Sequence, residues 1–332
     1  MKSENPGRAV AAGLGFLALT LCLGIFSLRA AGKIDFSRLV SARPQAAPLN
    51  WTADDREWSQ MASQLEKLAV KFPGRMGIFL KDLKTGREWA YHADELFPSA
   101  SLVKVPIMAS VFTKFRTNEL DLDEQLVLRR DEKRGGSGTL RRLRSGTRVS
   151  VRRLLEKMIT ESDNTAANML INRVGMDYLQ NNFAKLGLNR TGIHPEGMSL
   201  SSFPVLRENY TPPREMASLV EEIYRGDIVD KASSEMMIEL MKRVKNHSRF
   251  ARRLPAGWEL AHKTGMLRQS CHDVGVFFSP QGDYLLAVMT WKVPDYRYAG
   301  NYITKVASVT FRYYGVPLKQ YAQARANAAK TL

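Results

Sequence analysis

The chain predicts an α+β fold, in which an antiparallel sheet is formed from both chain ends and a helical subdomain lies between. Three observations carry this. Strand-like segments occur at 76–92 and again at 259–291, and helical periodicity fills the interval. The first two strands are joined by a tight turn, which makes them antiparallel. The composition agrees: 332 residues, 44% hydrophobic and 25% charged, are ordinary for a globular protein. They exclude wholesale disorder, a collagen-like chain and a polytopic membrane protein.

The amino-terminal segment comes first. After Lys2 and Arg8, residues Ala9–Leu28 carry no charge, and Arg29 closes the stretch. As a helix, 20 residues would span about 30 Å, the thickness of a bilayer's hydrocarbon core. Residues 1–33 therefore predict a signal-anchor, with a cleaved signal peptide as the rival. A cleavage site wants small residues one and three positions before the cut, and no clean Ala-x-Ala is present. The expected location is the cell membrane, through this single span, with a periplasmic or extracellular body, or secretion if the segment is cleaved. Residues 34–50 form a linker whose end, 41–50, is rich in Pro and Ala.

The globular body is expected over 51–318. Trp58, Met61, Leu65, Leu68 and Ala69 recur at helical spacing. Met76–Leu83 and Glu88–His92 read as strands joined by Lys84-Thr85-Gly86. A helix is expected to begin near Ser101, after Pro98. Helical segments follow at 151–159, 165–174, 177–186, 214–225 and 233–244. Glu259–Thr264, Asp273–Ser279 and Tyr284–Trp291 read as strands, and 299–313 as a closing helix. Residues 319–332 form an Ala-rich tail.

Charge is unevenly spread. Lys and Arg number 49 against 33 Asp and Glu, a balance of +16. Between Arg129 and Arg153 ten basic residues face two acidic ones, giving +8 in a run nearly free of aromatic residues. Single-strand nucleic-acid binders interleave basic and stacking residues. This run reads instead as a solvated basic face, with no specific nucleic-acid partner. Two cysteines cannot make a disulfide framework or a four-Cys zinc site. None of the five histidines shows metal-ligand spacing, so neither a metal nor a cofactor is expected.

The chemistry-bearing residues form three short groups. In Ser101-Leu102-Val103-Lys104, the i, i+3 spacing puts an amine beside a hydroxyl on one helical face. A neutral lysine there can take the serine proton, which activates the nucleophile. In Ser162-Asp163-Asn164, a hydroxyl can relay a proton and an amide can bind a carbonyl; the same three residues also make an ordinary helix cap. In Lys263-Thr264-Gly265, an amine and a hydroxyl can hold a substrate carboxylate, and glycine admits an extended substrate along the strand. The N–H of Met266 can join that of Ser101 in an oxyanion hole. A second Lys-Thr-Gly at 84–86 fills the hairpin turn.

In this order the three groups resemble the signature of class A β-lactamases and penicillin-binding proteins, and the context Ser162-Asp-Asn-Thr-Ala-Ala-Asn168 is similar to class A. The resemblance runs from about Trp51 to Pro317. It implies a β-lactamase-like serine hydrolase acting on a β-lactam or a peptidoglycan-like small substrate through an acyl-enzyme at Ser101. Lys104 would be the base or part of its network, and Ser162 the relay. Asn164, Lys263 and Thr264 would hold substrate.

Two departures stand out. The family's deacylating glutamate lies in Glu-x-x-Leu-Asn, before a Pro-x-x-Met helix start. Counting back from Pro213 and Met216 gives Glu196, but Leu200 replaces the motif's Asn. After Lys-Thr-Gly the family's Gly- and Arg-rich strand start is replaced by Met266–Asp273, in which His272 and Asp273 either contact substrate or begin a strand. A D-alanyl peptidase or other amidohydrolase, and a penicillin-binding sensor that does not turn over, therefore stand beside the β-lactamase reading.

Overall fold

The computed structural model describes residues 53–315 except 201–203 and 294. The expected signal-anchor (1–33), linker (34–50) and tail (319–332) lie outside the described residues, as does the uncharged stretch Ala9–Leu28. Among the described residues no helix is long and apolar enough to cross a membrane.

The sheet is built from both ends of the body, as the sequence pattern predicts. Strands β1 (Arg75–Asp82) and β2 (Glu88–Tyr91) come from the start; β7 (Glu259–Leu267), β8 (Ser270–Phe278) and β9 (Tyr284–Trp291) come from the end. The order is β2-β1-β9-β8-β7, antiparallel throughout, and β9 pairs with both β1 and β8. Successive side chains point to opposite faces. On β9, Leu286 and Val288 join the core beneath α1 (Ala53–Val70) and α8 (Tyr296–Tyr314), which also holds Trp58, Leu65 and Ile303. Leu285, Ala287 and Met289 face the other core, shared with the helical subdomain.

That subdomain contains α2 (Lys104–Arg116), α3 (Val151–Thr160), α4 (Asn164–Val174) and α5 (Met176–Lys185). Helices α6 (Pro213–Arg225) and α7 (Lys231–Lys242) cover the same face of the sheet. Two-stranded ribbons complete the fold: β3 (Phe97–Pro98) with β6 (Tyr210–Thr211), and β4 (Gln125–Val127) with β5 (Arg148–Ser150).

Two expectations need correction. Ser101 is not on an α-helix but in a 3-10 turn, Ala100–Val103, with α2 starting at Lys104. The pairing survives because residues three apart eclipse one another in a 3-10 turn. Lys263–Gly265 is not at a strand end either, since β7 continues to Leu267.

Candidate active site

The turn that carries Ser101 is clamped on both sides. Ala100 has φ +47°, a left-handed conformation unusual for a residue with a side chain. The Ser99 N–H donates to the Asn209 carbonyl at 2.6 Å. On β7, a Cβ added to Gly265 would lie 3.3 Å from both Ala100 Cβ and Leu102 Cγ, so glycine lets the strand approach the turn. Ser101 and Met266 thereby reach one cleft of about 840 Å³, also lined by Ser162, Lys263, Thr264 and Arg249.

Lys104 is 1% exposed and lies at the centre of the cluster. Its Nζ donates to the Ser162 carbonyl and to Asn164 Oδ1, each at 2.6 Å. It lies 3.3 Å from Ser101 Oγ and 3.2 Å from Ser162 Oγ. Burial lowers its pKa to about 7, against a partial restoring effect of Asp163. A neutral amine has two N–H donors and one lone pair. The two carbonyl-type oxygens take the donors, which leaves the lone pair for a serine hydroxyl.

Ser162 Oγ also accepts from Lys263 Nζ at 3.0 Å, so one hydroxyl touches both amines. Lys263 is fully buried and donates to its neighbour's carbonyl, Thr264 O, at 2.8 Å. Burial first, then the charges of Lys104 and Arg249, push its pKa well below the usual lysine value. Ser162 has φ +54°, and its neighbour Asp163 is fixed in turn. Asp163 caps α4 through the Ala166 N–H, and its other oxygen accepts from the Thr139 and Leu140 N–H groups at 2.6 and 2.8 Å. A side chain at Gly138 would come within 2.1 Å of Asp163 Cγ. The cap reading of Ser-Asp-Asn thus holds for Asp163, which leaves the Ser162 hydroxyl facing the two amines.

Asn164 occupies a place the sequence did not anticipate. Its oxygen is committed to Lys104, and Nδ2 donates to the Gly135 carbonyl at 2.9 Å, which leaves one amide hydrogen for a ligand. Glu196 opens the short turn Glu196–Met198 and does not line the cleft. Its Oε2 is buried without a hydrogen-bond partner among the described residues. Leu200 does come near the cluster: a Cβ on Gly136 would meet Leu200 Cδ1 at 3.2 Å and Asn164 Nδ2 at 2.8 Å.

His272 and Asp273 are fully buried within β8 and do not line the cleft. His272 Nδ1 accepts from the Thr290 N–H at 3.2 Å. That fixes the tautomer, so Nε2–H donates to the Pro98 carbonyl, 2.6 Å away and three residues before Ser101. Burial lowers the His272 pKa to about 4. Asp273 accepts from the Phe250 N–H and pairs with His262 Nδ1 at 2.8 Å.

Sequence reasoning missed Arg249. It is 6% exposed, lines the cleft, and has a buried Nη1 without a partner among the described residues. Its Nε donates to Cys271 Sγ at 3.1 Å. It belongs to no short motif and precedes β7 by ten residues, so only the fold brings it to Lys263.

Comparison with known proteins gives consistent results. The model of the β-lactamase enzyme family matches residues 60–314. A β-lactamase of Streptomyces fradiae is 30% identical over 253 residues, 71% of this chain and 80% of that protein. One of Bacillus licheniformis is 25% identical over 268 residues, 78% and 86% of the two chains. Among solved structures, a β-lactamase from Sphaerobacter thermophilus superposes with TM-score 0.72 at 28% identity, covering 78% of this chain and 99% of that one. PBP-A superposes with TM-score 0.71 at 28% identity, covering 76% and 95%.

Proposed function

The chain belongs to the β-lactamase enzyme family, and on that premise we propose that it opens β-lactams or related amides through an acyl-enzyme at Ser101. It is a serine hydrolase of that superfamily. The observation that carries the mechanism is the buried Lys104 amine, 3.3 Å from Ser101 Oγ.

Neutral Lys104 takes the Ser101 proton as Oγ attacks the amide carbonyl. The Ser101 and Met266 N–H groups face the oxyanion. Collapse breaks the C–N bond, and the nitrogen receives the proton from Lys104 through Ser162 Oγ, which touches both Lys104 and Lys263. Thr264 and Arg249 hold the substrate carboxylate, and Lys263 Nζ holds the Ser162 hydroxyl in place. Water then hydrolyses the ester and frees Ser101.

The second reading is acylation with slow or no turnover, as in a penicillin-binding sensor or D-alanyl peptidase. Two observations favour it: the apolar Leu200 comes against Gly136, as Asn164 does, and Glu196 does not line the cleft. A variant of PBP-A has been solved as an acyl-enzyme with penicillin G. The substrate is a β-lactam or peptidoglycan-like amide in either case. Residues 1–33 act as signal-anchor or signal peptide, 34–50 as linker and 319–332 as tail, with the 51–318 domain outside the cytoplasm. The support for export is the uncharged stretch Ala9–Leu28.

Intact-protein mass spectrometry with benzylpenicillin over time tests both readings. The expected result is one adduct per chain, absent in Ser101→Ala. Loss of the adduct within minutes identifies a hydrolase, and persistence for hours the slow reading. Equal labelling of Ser101→Ala would refute the assignment.

A further inference from the structure

The residues between Glu132 and Glu156 include eight Lys or Arg and no Asp or Glu. The structure folds them into the lip of the cleft. Ser137, Gly138 and Thr139 line the main cleft, and Thr139 also lines a second cavity of about 380 Å³. Leu140, Leu143 and Val149 give this cavity an apolar floor, and Arg148, Arg153 and Lys157 surround it with positive charge.

The three cations are not equivalent. Lys157 pairs with Glu161 at 2.8 Å, and Arg153 pairs with Glu156. Arg148 is exposed and makes no ion pair among the described residues, and the same holds for Arg141, Arg142 and Arg144. The Ser150 hydroxyl accepts from the Arg153 N–H, which leaves its own hydrogen to donate into the cavity. A forked guanidinium and a hydroxyl over an apolar floor suit an oxyanion carried on a short carbon chain.

The position of Thr139 says which end of a substrate reaches this cavity. Its hydroxyl donates to Glu161 at 2.8 Å, and Glu161 is held by Lys245 at 2.6 Å. Lys245 opens the loop that carries Arg249, the anchor placed above at the substrate carboxylate. Hydrogen bonds from Lys157, Lys245 and Thr139 outweigh burial and hold Glu161 ionised, its pKa lowered to about 2. Of the three cations that line the cavity, Arg148 is thus the one without an ion pair among the described residues.

We propose that this cavity is a second subsite, which accepts a carboxylate or phosphate carried on the leaving-group side of an extended amide substrate. It rests on the acyl-enzyme reading and adds a substrate class to it: amides whose departing half bears a second anion beyond the one at Arg249.

The test uses the full chain and a matched pair of cephalosporins, one with a 3-position side chain ending in a carboxylate and the other its methyl ester. A phosphate-ended analogue forms a third arm and separates the two anion sources. Acylation rates at Ser101 are read by mass spectrometry at low and high salt. The acid should react faster than the ester by about fivefold, the value of one partly exposed charge pair, and salt should erase the gap. Arg148→Gln should bring the acid to the ester's rate without changing the ester. Leu143→Trp fills the cavity without altering charge and should also close the gap, which keeps the test valid if Arg148→Gln does not fold. An acid-to-ester ratio equal in wild type and both variants would overturn the subsite. Failure of both compounds to acylate wild type would instead defeat the underlying reading.

Discussion

Acylation should follow the protonation of Lys104. Burial brings this amine from the ordinary 10.5 down to about 7. At 1.36 kcal/mol per tenfold, that is about 5 kcal/mol against the charged form. The neutral fraction is then about 1% at pH 5, about half at pH 7 and about 90% at pH 8. If neutral Lys104 accepts the Ser101 proton, the second-order acylation rate with benzylpenicillin should rise about tenfold from pH 5 to 6 and level off above 8. The assay is rapid-quench labelling followed by intact mass, with circular dichroism at each pH to confirm that the fold persists.

The same group affects stability. Between pH 7 and 10.5 the unfolded lysine binds a proton that the folded one does not, so folding is favoured as pH rises across that window. Below 7 both states are protonated, and the penalty is fully present and constant. Lys104→Met removes the group. The stability difference, wild type minus variant, should therefore move towards wild type by up to about 1.4 kcal/mol per pH unit from 7 to 10.5 and stay flat below 7. A flat acylation profile from pH 5 to 8, or an identical limb in Lys104→Met, would refute Lys104 as the base.

Three further outcomes are expected. Arg249→Ala should weaken acylation by a carboxylate-bearing lactam about 10- to 100-fold, the value of a charged hydrogen bond, and should leave the methyl ester of the same lactam unaffected. His272→Leu should slow acylation by loosening the Pro98 carbonyl, with the pH midpoint unchanged; His272→Gln, which keeps a donor, should recover part of the rate, and equal loss in both variants would rule out a positioning role. Glu196→Gln should leave the adduct lifetime within about twofold, since Glu196 does not line the cleft. An increase of about tenfold or more would identify it as the deacylating base.

The parts legible in the sequence were those fixed by nearby residues. Ser101 and Lys104 are three apart, Ser162 to Asn164 are consecutive, and Lys263 to Gly265 share a strand, so each group is a local signal, and their order along the chain made the set readable. The sheet was legible because hydrophobic periodicity and the Lys84–Gly86 turn are local signals. What the sequence left open depended on distance through space. Counting back to Glu196 assumed a loop of fixed path; in the structure Glu196 does not line the cleft, and Leu200 comes against Gly136, as Asn164 does. His272 and Asp273 sit next to the cleft in sequence but turn inward, because β8 is an interior strand covered on both faces. Arg249 reaches Lys263 only through the fold.

Three basic side chains lie buried at the cleft. Lys104, Lys263 and Arg249 are all buried, while the buried carboxylates nearby are committed elsewhere: Asp163 to four-residue capping and the Thr139 and Leu140 amides, Asp273 to Phe250 and His262. No carboxylate pairs with any of the three cations among the described residues. Buried charge without a counter-ion is costly, and a lysine can avoid the cost by losing its proton. Both lysines shift in that direction. Arginine has no such escape, because its guanidinium does not deprotonate in proteins. On the proposed mechanism, the unpartnered Nη1 of Arg249 would favour a substrate that brings its own carboxylate. On that mechanism, the crowding that lowers the Lys104 pKa to about 7 would also be the crowding that recruits an anionic substrate.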